Sequence, residues 1–360
     1  MERRRLLEQL QLLCQCGAGV EAIAPSACEI FRQLVAADSG SVFWLDAAGA
    51  PGGFYHDCAP VEIKDFFVAN FDALFSNPEE LNMVSMLRPI APASGQALHP
   101  AWLERYRASN VYTWLAGPLG HEFMFDLRVD VGGQGRMLLC GWNHAGRPFG
   151  QRHLADAAIV HDLLRQALEA RSTAVQWRSV GSRSAHFITD LAGHALLSID
   201  QEAEDLLRSA HLLRQNIPMR DALREAPRFA RDLAAMLRTG DTAELAIPVA
   251  AGRLSMRAVL SRVRGAAGSD DAAQMLVLVD RQQADSVAAI DFLSAQPLTM
   301  LQKRIALHAL HGGERRDCEA LFGASAEALK KHLNAIYAAL QVDGWGDLAQ
   351  FDGHRVVIPA

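Results

Sequence analysis

Lys330, Lys331 and Asn334 carry the clearest interaction chemistry in the chain. Two ammonium groups attract phosphate oxygens, and a carboxamide offers the paired donor and acceptor that match an adenine edge. The three lie within a run, 327–340, in which Leu329, Leu333, Ile336 and Leu340 recur at helical spacing. The leucines and the isoleucine therefore share one face, and the polar three lie away from its centre. Ser325 stands just before this run as an N-cap and completes the set expected at a nucleic-acid surface.

Such a helix needs a scaffold to aim it. Upstream, 298–310 reads as an amphipathic helix, with Thr299 and Gln302 spaced as a capping box and Gly312 and Gly313 as its stop. A short helix over 315–322 follows, and Gly323 and Ser325 form a tight turn into the helix that carries the lysines. This stretch resembles the LuxR-type helix-turn-helix, without a gap over about 45 residues. Leu298 and Thr299 match the family's opening pair, Gly312 its turn glycine, and Gly323 and Ser325 its Gly-x-Ser. Lys330, His332, Leu333, Ile336, Tyr337, Leu340 and Val342 match its final helix. The resemblance implies an all-α DNA-binding domain over 298–360 that docks on double-stranded DNA. The chain departs from the family at Gln302, at Cys318 and Glu319, and at Ala328. A glutamate at position 319 is costly unless its side chain turns to water. Between 298 and 352 stand six basic and seven acidic residues, a low charge for a DNA-binding segment.

A second candidate chemistry is apolar. Most aromatic residues fall in the first 172 positions, and Trp44, Tyr55, Trp114 and Trp142 are expected to wall a small-molecule pocket. The elements that would hold them are helices over 5–13 and 26–36, a strand over 41–46, a strand from Phe54, a hairpin of 123–131 with 136–142, and a helix over 151–170. That order, with Gly146, Arg147, Pro148 and Phe149 before an amphipathic exit helix, resembles a GAF domain over 1–172. Leu163, Leu164 and Leu168 of that helix form a dimer seam, pack on the domain's own sheet, or do both.

Between 180 and 283 the pattern is a hairpin (185–190 and 195–200), a helix from Ala203, then strands over 242–249, 254–263 and 273–280. This resembles a PAS domain. A linker helix over 284–297 ends at Pro297. The fold class is thus multidomain α+β: antiparallel-sheet GAF-like and PAS-like domains, then the all-α helix-turn-helix.

The bulk numbers bound these readings. The chain has 360 residues, half of them apolar, and a net charge of −6, so nucleic-acid binding must rest on the local motif. No apolar run suits a membrane span. The basic start, Arg3 to Arg5, is followed by Glu8, Gln9 and Gln11 and not by an apolar core, so a cytoplasmic protein is expected. Six cysteines without a Cys-x-x-Cys pair suggest reduced thiols. His56 and Cys58 share a strand face, but two ligands do not make a metal site. No nucleotide, hydrolase or metalloprotease motif is present, so neither catalysis nor a cofactor is expected. The expectation is a ligand-responsive transcriptional regulator that binds operator DNA as a homodimer. A signalling adaptor whose C-terminal helices bind a protein, and a cofactor-based redox or gas sensor, are the alternatives.

Overall fold

Leucines at 6, 10 and 13 share one face of the first helix, α1 (Glu2–Gln15), and all three are buried. In the computed structural model, which describes residues 2–45, 51–57, 59–60, 63, 66–67, 70–74, 77, 79–80, 86, 93–132, 135–169, 175–181, 185–210, 212, 224–263 and 272–350, α1 packs on α2 (Val20–Leu34). The sequence suggests a start for α2 at Ser26, just after Pro25. The helix begins at Val20 instead, with Pro25 inside it. A proline has no N–H for the carbonyl four residues back, so the ladder bond to Glu21 is missing. That carbonyl accepts from the backbone N–H of Ala251 at 3.1 Å.

The first sheet holds β1 (Ser39–Leu45), β2 (Pro51–His56), β3 (Phe123–Val131) and β4 (Gly135–Asn143) in the antiparallel order β2-β1-β4-β3. Strand alternation divides its side chains. Val42, Trp44, Phe125, Leu127, Met137 and Leu139 meet the helical layer of α1, α2 and α4 (Leu154–Glu169). Phe43, Met124, Leu138, Cys140 and Trp142 meet the segment between β2 and β3, which includes α3 (Pro100–Arg107) and a wide turn, Tyr112–Ala116. Leu164 and Leu168 of α4 are buried against the chain's own core, and Leu163 packs beside them. The stripe on α4 is thereby occupied within the chain.

The second sheet contains β5 (Trp177–Ser179), β6 (His186–Asp190), β7 (Ala195–Ile199), β8 (Arg224–Glu225), β9 (Thr242–Val249), β10 (Gly252–Val263) and β11 (Ala272–Ala284). Its order is β8-β7-β6-β11-β10-β9, and β5 pairs with the end of β11. One face is covered by α5 (Gln201–Ser209) and α6 (Phe229–Leu237), whose Leu207, Phe229 and Leu233 meet Phe187, Met256 and Val277. The short β5 is absent from the sequence reading. It is held at the β11 edge, and the guanidinium of Arg253 lies 4.6 Å from the centre of the Trp177 ring.

The C-terminal region is helical. It comprises α7 (Asp285–Ala295), α8 (Met300–Leu310), α9 (Cys318–Phe322), α10 (Ala326–Leu340) and α11 (Trp345–Ala349). Helix α7 starts directly from β11 and touches α1, α2 and α8. Its Asp291 accepts from Ser26 Oγ at 3.1 Å and from Gln9 Nε2 at 3.3 Å, and burial raises the carboxyl's pKa. The apolar cluster that fills the first helical layer continues through Val287, Ile290 and Leu293 into the C-terminal helices. No helix among the described residues is long and apolar enough to cross a membrane. The fold is thus mixed α+β, with two antiparallel sheets and a helical C-terminal region.

Candidate functional site

The cap of α8 is closed from both sides. Gln302 N–H donates to Thr299 Oγ1 at 3.4 Å, and Gln302 Oε1 accepts from Thr299 N–H at 2.8 Å. The helix runs to Leu310, and Gly312 has a left-handed φ of 77° just beyond it. His308 then ties the next turn: its Nε2 lies 3.1 Å from the Glu314 carbonyl, and its ring lies against Phe322 and Trp345. Trp345 Nε1–H donates to the Gly313 carbonyl at 3.2 Å, so α11 clamps the α8–α9 connection.

Gly323 ends α9 at φ 61°, and Ser325 caps α10 by accepting from Ala328 N–H at 3.3 Å. Leu329, Leu333, Ile336 and Leu340 are buried against Ile305, Ala306, Ala309 and Cys318. Ser325, Lys330, Lys331 and Asn334 are all exposed. The apolar stripe fixes the helix's roll, so Lys330, Lys331 and Asn334 lie away from its centre, and Ser325 is exposed at the cap. Neither lysine makes an ion pair among the described residues. Glu319 is exposed, and its neighbour Cys318 takes the buried position, which removes the cost expected of that glutamate. Lys303 differs from the other lysines of the region. It is 2 % exposed, near Arg5 and Glu8 of α1, and burial lowers its pKa.

The aromatic residues divide. A cavity of about 510 Å³, mouth included, lies on the β4 face that carries Trp142. Phe54, Ile63, Phe67, Val111, Leu115 and Leu119 supply apolar wall, and Ser41, His56, His121 and Trp142 supply polar atoms. Trp142 Nε1–H donates to Ser41 Oγ at 2.9 Å. Tyr55 borders the cavity, but it pairs with Val42 and its ring packs with the helical-layer core. Trp44 does not line the cavity: strand alternation points it to the opposite face, where its ring covers Gly53. Trp114 does not line it either. It is 41 % exposed, with an edge-on contact to Phe66 at 6.2 Å.

Histidines complete this site, and nothing in their sequence spacing marks them. His121 stacks between His56 and Trp142, with ring centroids 5.3 Å and 5.4 Å away. Its Nε2 lies 2.9 Å from Ser39 Oγ, and burial pulls its pKa down to about 4, which keeps the ring neutral near pH 7. His56 Nδ1 accepts from Ala59 N–H at 3.1 Å. Cys58, its neighbour in the sequence reading, lies outside the described residues, and no group of three metal-ligating side chains occurs among those described. On the same face Asp126 is wholly buried. It accepts from Ala97 N–H at 2.9 Å, and burial pushes its carboxyl up to about 6. Its bond ties the turn Gln96–Leu98 to the sheet. Compared with known proteins, the chain matches no family model, and no curated protein matches it.

Proposed function

We propose that the chain is a ligand-responsive transcription regulator whose C-terminal helices form a LuxR-type helix-turn-helix. The observation that carries this reading is the outward side of α10. A rigidly capped helix presents Ser325, Lys330, Lys331 and Asn334 together, while its opposite side is locked into a core. Lysines contact the DNA backbone and Asn334 reads a base edge. Within the seven-stranded second sheet, the hairpin of β6 and β7 is followed by helices and then by the antiparallel strands β9 to β11, an order in keeping with a PAS-like module. The first sheet with its cavity acts as the GAF-like sensor. The regulator works in the cytoplasm as a homodimer on a two-fold operator.

The test is binding of the full chain to a pool of double-stranded genomic fragments, followed by anisotropy across a salt series. Each phosphate contact adds about 0.9 to the log–log salt slope. Replacing both Lys330 and Lys331 with Ala should lower the slope by about 2. Absence of binding at every salt concentration, or an unchanged slope, overturns the assignment. The near-balanced charge of 298–352 favours one other reading, in which the same helices bind a protein and the chain is an adaptor.

A further inference from the structure

The cavity on the β4 face constrains what it can hold. Its lining residues include no carboxylate, lysine or arginine among the described residues. A charged ligand would lose its hydration there without an opposite charge in the wall. Phe54, Phe67 and Trp142 put three aromatic rings in the apolar wall, and such rings favour a flat ring system over a branched chain.

The polar atoms are few, and most of them are engaged. The Trp142 indole N–H is bonded to Ser41, and His56 Nδ1 accepts from Ala59. An accepting Nδ1 is an unprotonated one. His121 uses Nε2 on Ser39, and its Nδ1 makes no hydrogen bond among the described residues. Burial keeps that ring uncharged, so Nδ1 offers one neutral donor or acceptor according to tautomer. A ligand hydroxyl or carbonyl satisfies it, and each further polar group needs a partner of its own in a wall that is otherwise largely apolar.

We infer that this cavity binds an uncharged aromatic molecule of one or two rings that carries a hydrogen-bonding group, with that group at His121. The inference rests on the reading of the first sheet as the sensory module. It adds the ligand's charge, shape and orientation.

Three naphthalene probes test it by calorimetry on the full chain: 1-naphthol, naphthalene and 1-naphthalenesulfonate. Naphthol should bind, naphthalene roughly tenfold more weakly for want of the hydrogen bond, and the sulfonate more weakly again. Leu115→Trp fills the cavity and should abolish binding of all three. His121→Phe should bring naphthol down to naphthalene's affinity and leave naphthalene unchanged. A sulfonate that binds as tightly as naphthol, a wild-type chain that binds none of the three, or full naphthol binding by Leu115→Trp overturns the inference. The wild-type ranking decides the matter even if a variant fails to fold. DNA binding in the same preparations keeps the two proposals apart. The probe ranking can hold where DNA binding fails, and the reverse.

Discussion

The backbone N–H of Ala251, in the turn between β9 and β10, donates to the carbonyl of Glu21 in α2 at 3.1 Å. Pro25 makes this bond possible, because it leaves that carbonyl without its helical partner. The second sheet is thus tied to the first helical layer through a gap in a helix ladder. Pro25→Ala would supply the missing N–H inside α2, where it would compete for the same acceptor. Hydrogen exchange at Ala251 should then speed up by about tenfold, the equivalent of one net hydrogen bond. Unchanged protection at Ala251 would show that the contact does not depend on the proline.

Acid should weaken the protein through His121. Its folded pKa of about 4 lies below the ordinary 6.5, so the unfolded chain binds the proton more readily. The stability this residue contributes is whole above pH 6.5 and is lost as pH falls from 6.5 to about 4. The loss is at most about 3 kcal/mol, at 1.36 kcal/mol per unit. Asp126 works the other way: its folded pKa of about 6 exceeds the usual 3.8, so acid favours the folded form on its account. A His121→Gln variant isolates the histidine. Its urea midpoint should fall less than the wild type's between pH 7 and pH 4.5, and an identical fall in both would refute the assignment.

Most of the secondary structure was legible because periodicity survives in the sequence. The β3–β4 hairpin, the strands β9 to β11 and every C-terminal helix from 285 to 340 follow from alternation, apolar stripes and caps. The start of α2 was not legible, since a proline usually begins a helix, and only a tertiary donor makes an internal one tolerable. The outward side of α10 follows from its leucines alone. The cavity does not. Trp44 and Trp142 are alike in composition and lie on neighbouring strands, yet register places them on opposite faces of one sheet. His121 joins His56 and Trp142 by long-range pairing that no local pattern encodes.

Gly323 offers a clean measure of what the turn before α10 requires. Its φ is 61°, and a Cβ there would meet no atom within 4 Å. The cost of Gly323→Ala is therefore conformational and not steric, about 1 kcal/mol. Asn tolerates the left-handed region better, so Gly323→Asn should cost less. Chemical denaturation of the two variants checks the order. An alanine variant as stable as wild type would mean that the turn relaxes away from its left-handed geometry.

Lys303 and Lys330 share a charge but not a role. Lys330 faces water on α10, whereas Lys303 is buried on α8, near Glu8 and Arg5 of α1. Burial costs an ammonium its hydration, and the lowered pKa of Lys303 records that cost. Lys303→Met keeps the length and removes the charge. It should leave stability unchanged or raise it by about 1 kcal/mol. On the proposed reading it should also leave the salt slope of DNA binding untouched, because the side chain is buried within the fold. Lys330→Ala should do the opposite, with stability within about 0.5 kcal/mol of wild type and a slope lower by about 0.9. If Lys303→Met lowered the salt slope as Lys330→Ala does, the buried lysine would have to become exposed before binding, and the assignment of the outward side of α10 as the binding surface would be incomplete.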